Sequence, residues 1–403
     1  MLNKNLLTFA LMAAMPIQAA TQSSIATLRN TTKQSIKTYP IISMVAGCLA
    51  IGAGLTAWDA CAKAFNAVAP RAELKNKKLP LIFSPDYDIS FFGIEKLHPF
   101  DSKKYGKVHN YLVNTVGIPR ECFYVPTQVS EQDLLLVHTP AYLQSLNSPS
   151  VVARIAENPA LAYLPNFLVQ RNLLAPMKVA TGGTILGGTL AQQYGWAINL
   201  AGGYHHAKGC GRDRLKETYS LSDEGGGFCV FADIPLVIKK LWEKDPTLKV
   251  LIVDLDAHQG NGHEDFFKKN DKRVAIFDIY NADIYPYDHA AKKHIDFNYP
   301  VQSGINDQQY LDLLKSELPK AIEQYKPDFI LYNAGTDVFE HDPLGLMKVT
   351  AQGIIERDSF VFQQAAQNNT PVLMLLSGGY TKESANIIGH SVEHIMKDVV
   401  HAI

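Results

Sequence analysis

Asp254, Asp256 and His258 are the residues from which chemistry is first legible, in the stretch KVLIVDLDAHQGNGHEDFF at 249–267. Their spacing is i, i+2, i+4, so in an extended segment all three side chains leave one face. Two carboxylates and an imidazole at the end of an apolar run are costly unless something binds them. A divalent metal is the simplest occupant. The plainer alternative is a helix N-cap after the strand with a satisfied histidine. The run before them, 250–253, is β-branched and long-chain aliphatic, as in a buried parallel strand. Open α/β sheets bind ligands beyond the carboxyl ends of such strands.

On either side of this stretch, strand-like runs at 81–84, 122–125, 196–200, 250–254, 274–279, 329–333 and 372–376 alternate with helical patterns such as 178–194, 307–324 and 351–368. That alternation predicts an α/β domain with a mainly parallel sheet flanked by helices. Polar, glycine-rich clusters follow four of the strands: AGGYHHAKGC after Leu200, DLDAHQGNGH after Val253, YNAGTDVFEHDPLG after Leu331 and SGGYTKES after Leu376. Glycine there lets loops turn tightly and lets a ligand approach the backbone.

The chain has 403 residues and a formal net charge of −1, so nothing suggests direct nucleic-acid binding. Its five cysteines form no CxxC pair, which argues against a disulfide framework or a cysteine zinc site and suits a reducing compartment. Residues 1–78 read differently, as an apolar helical extension. The run 6–20 is signal-like, and 41–58 is an uncharged apolar stretch that just reaches membrane-span length, so membrane contact or export is expected. The catalytic domain is expected over 79–403. Nothing in the sequence sets the number of subunits.

Together the loops resemble the zinc-dependent histone deacetylase family, most closely its class IV branch. The motifs that carry the resemblance are GGYHHA at 202–207, GGGFC at 225–229, DLDAHQGNGH at 254–263, NAGTD at 333–337 and SGGY at 377–380, with GIEKLHPFDSKKYGKV at 93–108, LPNFLVQRNLLAP at 164–176 and YNADIYP at 280–286. The resemblance implies one arginase–deacetylase domain with about eight parallel strands. It implies Asp256, His258 and Asp337 as ligands of one Zn2+, although carboxylate-rich ligation also tolerates iron or cobalt. It makes His206 the general base and then acid, His205 its electrostatic partner oriented by Asp254, and Tyr380 the donor to the substrate carbonyl. Gly227, Phe228 and Tyr285 would form the acyl-lysine tunnel, with Asn261 and Asp342 supporting. A structural potassium ion near the Asp254–His258 backbone also comes with the family. The implied reaction is removal of acyl groups, acetyl or long-chain, from lysine on a protein or peptide.

Two features depart from a generic member. Asn261 stands where many deacetylases have an aspartate beside the second histidine. Residues 207–224 form a longer, charged insert, expected as a lid or substrate-contacting loop. An arginase-like binuclear site would need an aspartate two residues after His258, where Gly260 stands. An acetylpolyamine deacetylase would want a rim carboxylate that the sequence does not place. A non-catalytic, membrane-anchored binding protein should have lost a ligand or the tyrosine, and none is missing.

Overall fold

The computed structural model describes residues 72–403, apart from 76, 91–92, 94, 96–99, 210–224 and 268–270, all within the unit Val68–Ile403. The signal-like run, the apolar stretch 41–58 and most of the insert lie outside the described residues. Among the described residues no helix is long and apolar enough to cross a membrane.

Seven parallel strands form one sheet: β1 Leu81–Ile82, β2 Trp196–Asn199, β3 Val250–Asp254, β4 Val274–Asn281, β5 Phe297–Val301, β6 Phe329–Asn333 and β7 Val372–Leu375. Their spatial order is β1-β2-β7-β6-β3-β4-β5. β3 lies between β4 and β6, with Ile252 opposite Ile276 on one side and Leu331 on the other. Every residue of β3 and β6 is buried. That burial explains their unbroken apolar runs. The chain leaves β3 toward β4 and leaves β6 toward β7, so the β3–β6 boundary is a topological switch point, where ligands collect.

Among the described residues the sheet has seven strands, against about eight expected. Residues 122–125 pair with β1 only through an isolated bridge, Ile82 to Tyr124. Pro119 and Pro126 bracket that segment, and proline has no N–H to extend a ladder. β5 was not anticipated. It is a half-exposed edge strand containing Pro300, so its pattern lacks an apolar run.

The helices follow local signals. α1 spans Lys104–Asn114, α2 Ala175–Tyr194, α3 Asp233–Lys244, α4 Asn261–Phe266, α5 Asp307–Tyr325, α6 Ala351–Gln367 and α7 Ser384–His394. α5 starts with a capping box between Asn306 and Gln309, and the Thr350 side chain caps α6 by accepting from the Gly353 N–H. From α6 the buried Arg357 reaches under the sheet edge. Its Nη1 donates to the carbonyls of Leu255 at 3.0 Å and Gly335 at 2.7 Å. One guanidinium therefore ties together the loops that follow β3 and β6.

Candidate active site

The β3 and β6 loops bring Asp256, His258 and Asp337 into contact. His258 Nδ1 is 3.1 Å from Asp256 Oδ1 and 2.9 Å from Asp337 Oδ2. One ligating atom from each residue lies within 4.8 Å of the others, and all three residues are buried. The remaining carboxylate oxygens are held from outside. Ser377 Oγ and the Gly378 N–H donate to Asp256 Oδ2, and the Ala257 N–H donates to Asp337 Oδ1. A Cβ at residue 378 would fall 2.4 Å from Asp337 Oδ2, so only glycine lets the β7 loop come this close.

Electrostatics mark the cluster as a cation site. Burial pushes the Asp337 carboxyl up, with Asp256 adding to it, to about 7. Burial opposes charge on His258, yet Asp256 and Asp337 raise that imidazole to about 10. Two buried carboxylates around one imidazole are an uncompensated negative charge. A donor set of two anions and one neutral nitrogen balances a dication and leaves a coordination position open, as catalytic zinc requires.

The loop after β2 bends at His205 and His206, so both adjacent histidines face the site, with ring centroids 4.1 Å apart. His205 Nδ1 donates to Asp254 Oδ2 at 3.0 Å. Burial opposes charge on His205, but Asp256 and Asp254 bring it to about 9. Burial lowers His206 well below the usual imidazole range, and His205 and His258 push it further down. His206 is therefore neutral. Its Nδ1 lies 2.8 Å from Asn261 Oδ1, while the Asn261 Nδ2 donates to Asp288 Oδ2 at 3.3 Å. This direction of the amide puts the proton of His206 on Nδ1 and leaves a lone pair on Nε2.

His206, Gly227, Phe228 and Tyr380 line a narrow cavity of about 30 Å³, together with Phe100 and Tyr105. Gly227 abuts the His206 ring. The Phe228 ring lies 4.9 Å from that of Phe100, tilted by 32°, and the residue adopts φ +64°, a strained conformation costing about 1 kcal/mol. Tyr285 is 41% exposed and its ring lies 5.0 Å from that of His206, at the mouth. The Tyr380 ring is 6.1 Å from that of His258. Burial, Asp337 and Asp256 hold the Tyr380 phenol well above its ordinary value, so it stays protonated and can donate. Asp342 Oδ2 accepts the Tyr380 N–H at 2.8 Å, which anchors that residue's backbone.

Three contributors are not evident from the sequence. Lys104 is fully buried, and its Nζ donates to the carbonyls of Ser377 at 2.7 Å and Gly378 at 2.8 Å. Burial lowers it to about 8 against the pull of Asp337, Asp256 and Asp342. It sits inside the 93–108 motif, where nothing separates it from the neighbouring Lys103. Asp288 and Lys208, paired at 2.9 Å, fix Asn261 from outside. Asp288 lies outside every motif and Lys208 sits in the insert 207–224, and only the tertiary fold brings them together.

Residues 98–397 match the histone deacetylase domain. The chain is 46% identical over 320 residues to Histone deacetylase 2 of Arabidopsis thaliana, covering 79% of each protein. It is 30% identical over 316 residues to an uncharacterized protein of Picosynechococcus, covering 78% of this chain and 97% of that one. Among solved structures, the HDA15 HD domain shares the fold with a TM-score of 0.62 at 21% identity, over 80% of this chain and 88% of that one.

Proposed function

This chain belongs to the histone deacetylase family, and from that premise we propose that it is a zinc-dependent amidohydrolase that removes acyl groups from lysine side chains. The observation that carries the reading is the packing of His206 and Tyr380, which line one narrow cavity, against His258 of the Asp256–His258–Asp337 donor set, with ring centroids 6.0 and 6.1 Å apart. Zinc held by those three residues would supply Lewis acidity toward the amide carbonyl and lower the pKa of a water molecule. The neutral His206, with its free Nε2 lone pair, takes the proton from the attacking water. It then passes that proton to the leaving lysine amine. Tyr380 donates its phenolic hydrogen to the carbonyl oxygen as negative charge builds there. His205, charged through Asp254 and Asp256, adds positive potential beside the same oxygen. Phe228 and Tyr285 enclose the aliphatic stem of lysine and keep water from the reacting bond.

Phe100, Tyr105 and Phe228 crowd the cavity beside His206 and Tyr380, which favours a short acyl group. A long chain enters only if Phe100, Tyr105 or Phe228 moves. Zinc-loaded protein should therefore hydrolyse acetyl-lysine peptides faster than myristoyl-lysine peptides, and a chelator should abolish both reactions. No turnover of either peptide with zinc bound would end this reading. Membership of the class IV branch rests on Asn261, which takes the place of an aspartate beside His206. A second reading, deacetylation of small acyl-amines such as acetylpolyamines, gains support from Glu157. This exposed carboxylate accepts the Gly227 N–H at 3.2 Å and so stands at the tunnel rim, as an amine-binding group should. Comparing acetylspermidine with acetyl-lysine peptides, in wild type and Glu157→Gln, separates the two.

A further inference from the structure

Two adjacent histidines reach one site only because the loop after β2 turns sharply, and a buried carboxylate behind the cavity holds that turn. Asp233, the first residue of α3, is fully buried and takes no part in lining the cavity. Its Oδ2 accepts the Gly203 N–H at 3.0 Å and the Thr184 hydroxyl at 2.7 Å, and its Oδ1 accepts the Tyr204 N–H at 2.9 Å. Among the described residues its hydrogen-bond partners are all neutral. An acid at a helix start ordinarily serves the helix dipole from an exposed position. Asp233 instead directs two of its bonds to the backbone of another loop.

That loop is shaped to close on the carboxylate. Gly202 and Gly203 both take left-handed φ, +78° and +85°. A Cβ on Gly202 would lie 2.5 Å from Thr184 Oγ1 and 2.8 Å from Asp233 Oδ2. The amides of residues 203 and 204 then point at one anion, as in the concave backbone nests that bind anions. His205 and His206 come next in the chain. Other groups fix the far side of the turn. The Gly262 N–H donates to the His205 carbonyl at 2.8 Å, and Asp254 Oδ2 takes His205 Nδ1 at 3.0 Å and His263 Nε2 at 2.8 Å. Asp233 also follows directly on the segment that carries Gly227 and Phe228. A Cβ on Gly227 would fall 2.4 Å from His206 Cδ2, so the tunnel wall and the base are set against each other with no slack.

We infer that Asp233 is a positioning residue: through the Gly203 and Tyr204 amides it sets the turn that presents His205 and His206 together to the substrate. The inference deepens the proposed reaction and rests on it, since it takes His206 as the base.

The test compares Asp233→Asn with Thr184→Val in zinc-loaded protein. Asparagine keeps the size of the side chain, and its NH2 group must face at least one of the loop donors. Valine removes the hydroxyl and leaves the carboxylate on both loop amides. Both variants should unfold at lower urea concentration. Only Asp233→Asn should lose turnover on an acetyl-lysine peptide, by about ten- to a hundredfold with KM little changed, because a small displacement of the base acts on kcat. Nitrogen NMR signals of the His205 and His206 imidazoles should move in that variant and stay in Thr184→Val. Turnover of Asp233→Asn within about twofold of wild type, or a fall in kcat that Thr184→Val matches, would overturn the inference. If Asp233→Asn does not fold, Gly202→Ala decides. Its methyl group forces the turn off an intact carboxylate, so the same fall in kcat is expected, and wild-type kinetics would refute the role. The imidazole signals need no substrate. A protein inactive on every acyl-lysine peptide, whose signals still move in Asp233→Asn alone, would end the deacylase reading and leave the positioning role standing. Unmoved signals would end the positioning role whatever the rate.

Discussion

Replacing Asp288 by asparagine tests the chain of hydrogen bonds that decides which nitrogen of His206 carries the proton. Asp288 Oδ1 accepts the backbone N–H groups of Ala290 and Ala291, so that position must remain an acceptor. Oδ2 accepts from both Asn261 Nδ2 and Lys208 Nζ. An asparagine at 288 would keep its carbonyl on the two amides and put its NH2 group where Oδ2 stood, facing two donors. Asn261 then relieves the clash by turning its own carbonyl toward residue 288. Its NH2 group faces His206, whose Nδ1 must become the acceptor, and the ring proton moves to Nε2. The base loses its lone pair. Restoring the productive arrangement costs about the worth of one hydrogen bond to a charged group, roughly 1.5–3 kcal/mol. The Asp288 side chain is 18% exposed and its bond to Asn261 is long, at 3.3 Å, which favours the lower end. That corresponds to a fall of about tenfold in turnover. The assay is steady-state hydrolysis of an acetyl-lysine peptide by zinc-loaded protein, with nitrogen NMR of His206 reading the tautomer. KM and bound zinc should be unchanged, and Lys208→Met, which leaves the carboxylate in place, should lose much less. Turnover by Asp288→Asn within about twofold of wild type, with the proton still on Nδ1, would refute the reasoning.

Three other substitutions bear on the same structure. Tyr380→Phe should keep its zinc and lose about 3 kcal/mol of transition-state stabilisation. Turnover should then drop by roughly two orders of magnitude or more, as expected for one lost oxyanion donor, and paired metal analysis and kinetics read both quantities. Lys104→Met leaves the buried Ser377 carbonyl without its lysine donor, while the Gly378 carbonyl keeps the Thr336 N–H and hydroxyl, so unfolding free energy in urea should fall by roughly 1–3 kcal/mol and turnover should fall with it, because Tyr380 follows in the same loop. His138 is buried and accepts the Ala232 N–H through Nε2, and burial pushes it down to about 3 from its ordinary 6.5. It stays neutral in the folded chain and takes a proton in the unfolded one. Its stabilising contribution is therefore complete above pH 6.5 and is lost as pH falls toward 3, by up to about 1.4 kcal/mol per pH unit. His138→Gln should show a shallower pH dependence of unfolding free energy across that window, by one proton.

Residues whose role follows from their own spacing were legible in the sequence. Asp256 and His258 share a face because strands alternate, and β3 announced itself by being buried on both sides. Asp337 and Tyr380 came from the family resemblance, which is carried by glycine-rich loops after two further strands. What escaped has a common cause. Lys104, Asp288, Lys208 and His263 act through partners distant in sequence or through the shape of a turn, and their types are ordinary on a protein surface. His263 closes the 254–263 motif, yet only the approach of Nε2 to Asp254 gives it meaning. The seven described strands differ from the seven strand-like runs of the sequence for a similar reason. At 122–125 the apolar run reads as a strand, but flanking prolines reduce it to one bridge, while β5 hides behind alternation and Pro300.

The clasp made by Arg357 on the carbonyls of Leu255 and Gly335 bears on how the candidate metal site is held together. Small zinc modules collapse when stripped because the ion itself gathers their ligands. Here the loops that carry the three candidate ligands are fastened from beneath by a protein side chain. A metal bound there would then be removable and replaceable while the architecture stands, and one divalent ion could be traded for another without a round of unfolding. Which metal works in it then depends on the supply around the finished molecule as much as on the ligands themselves.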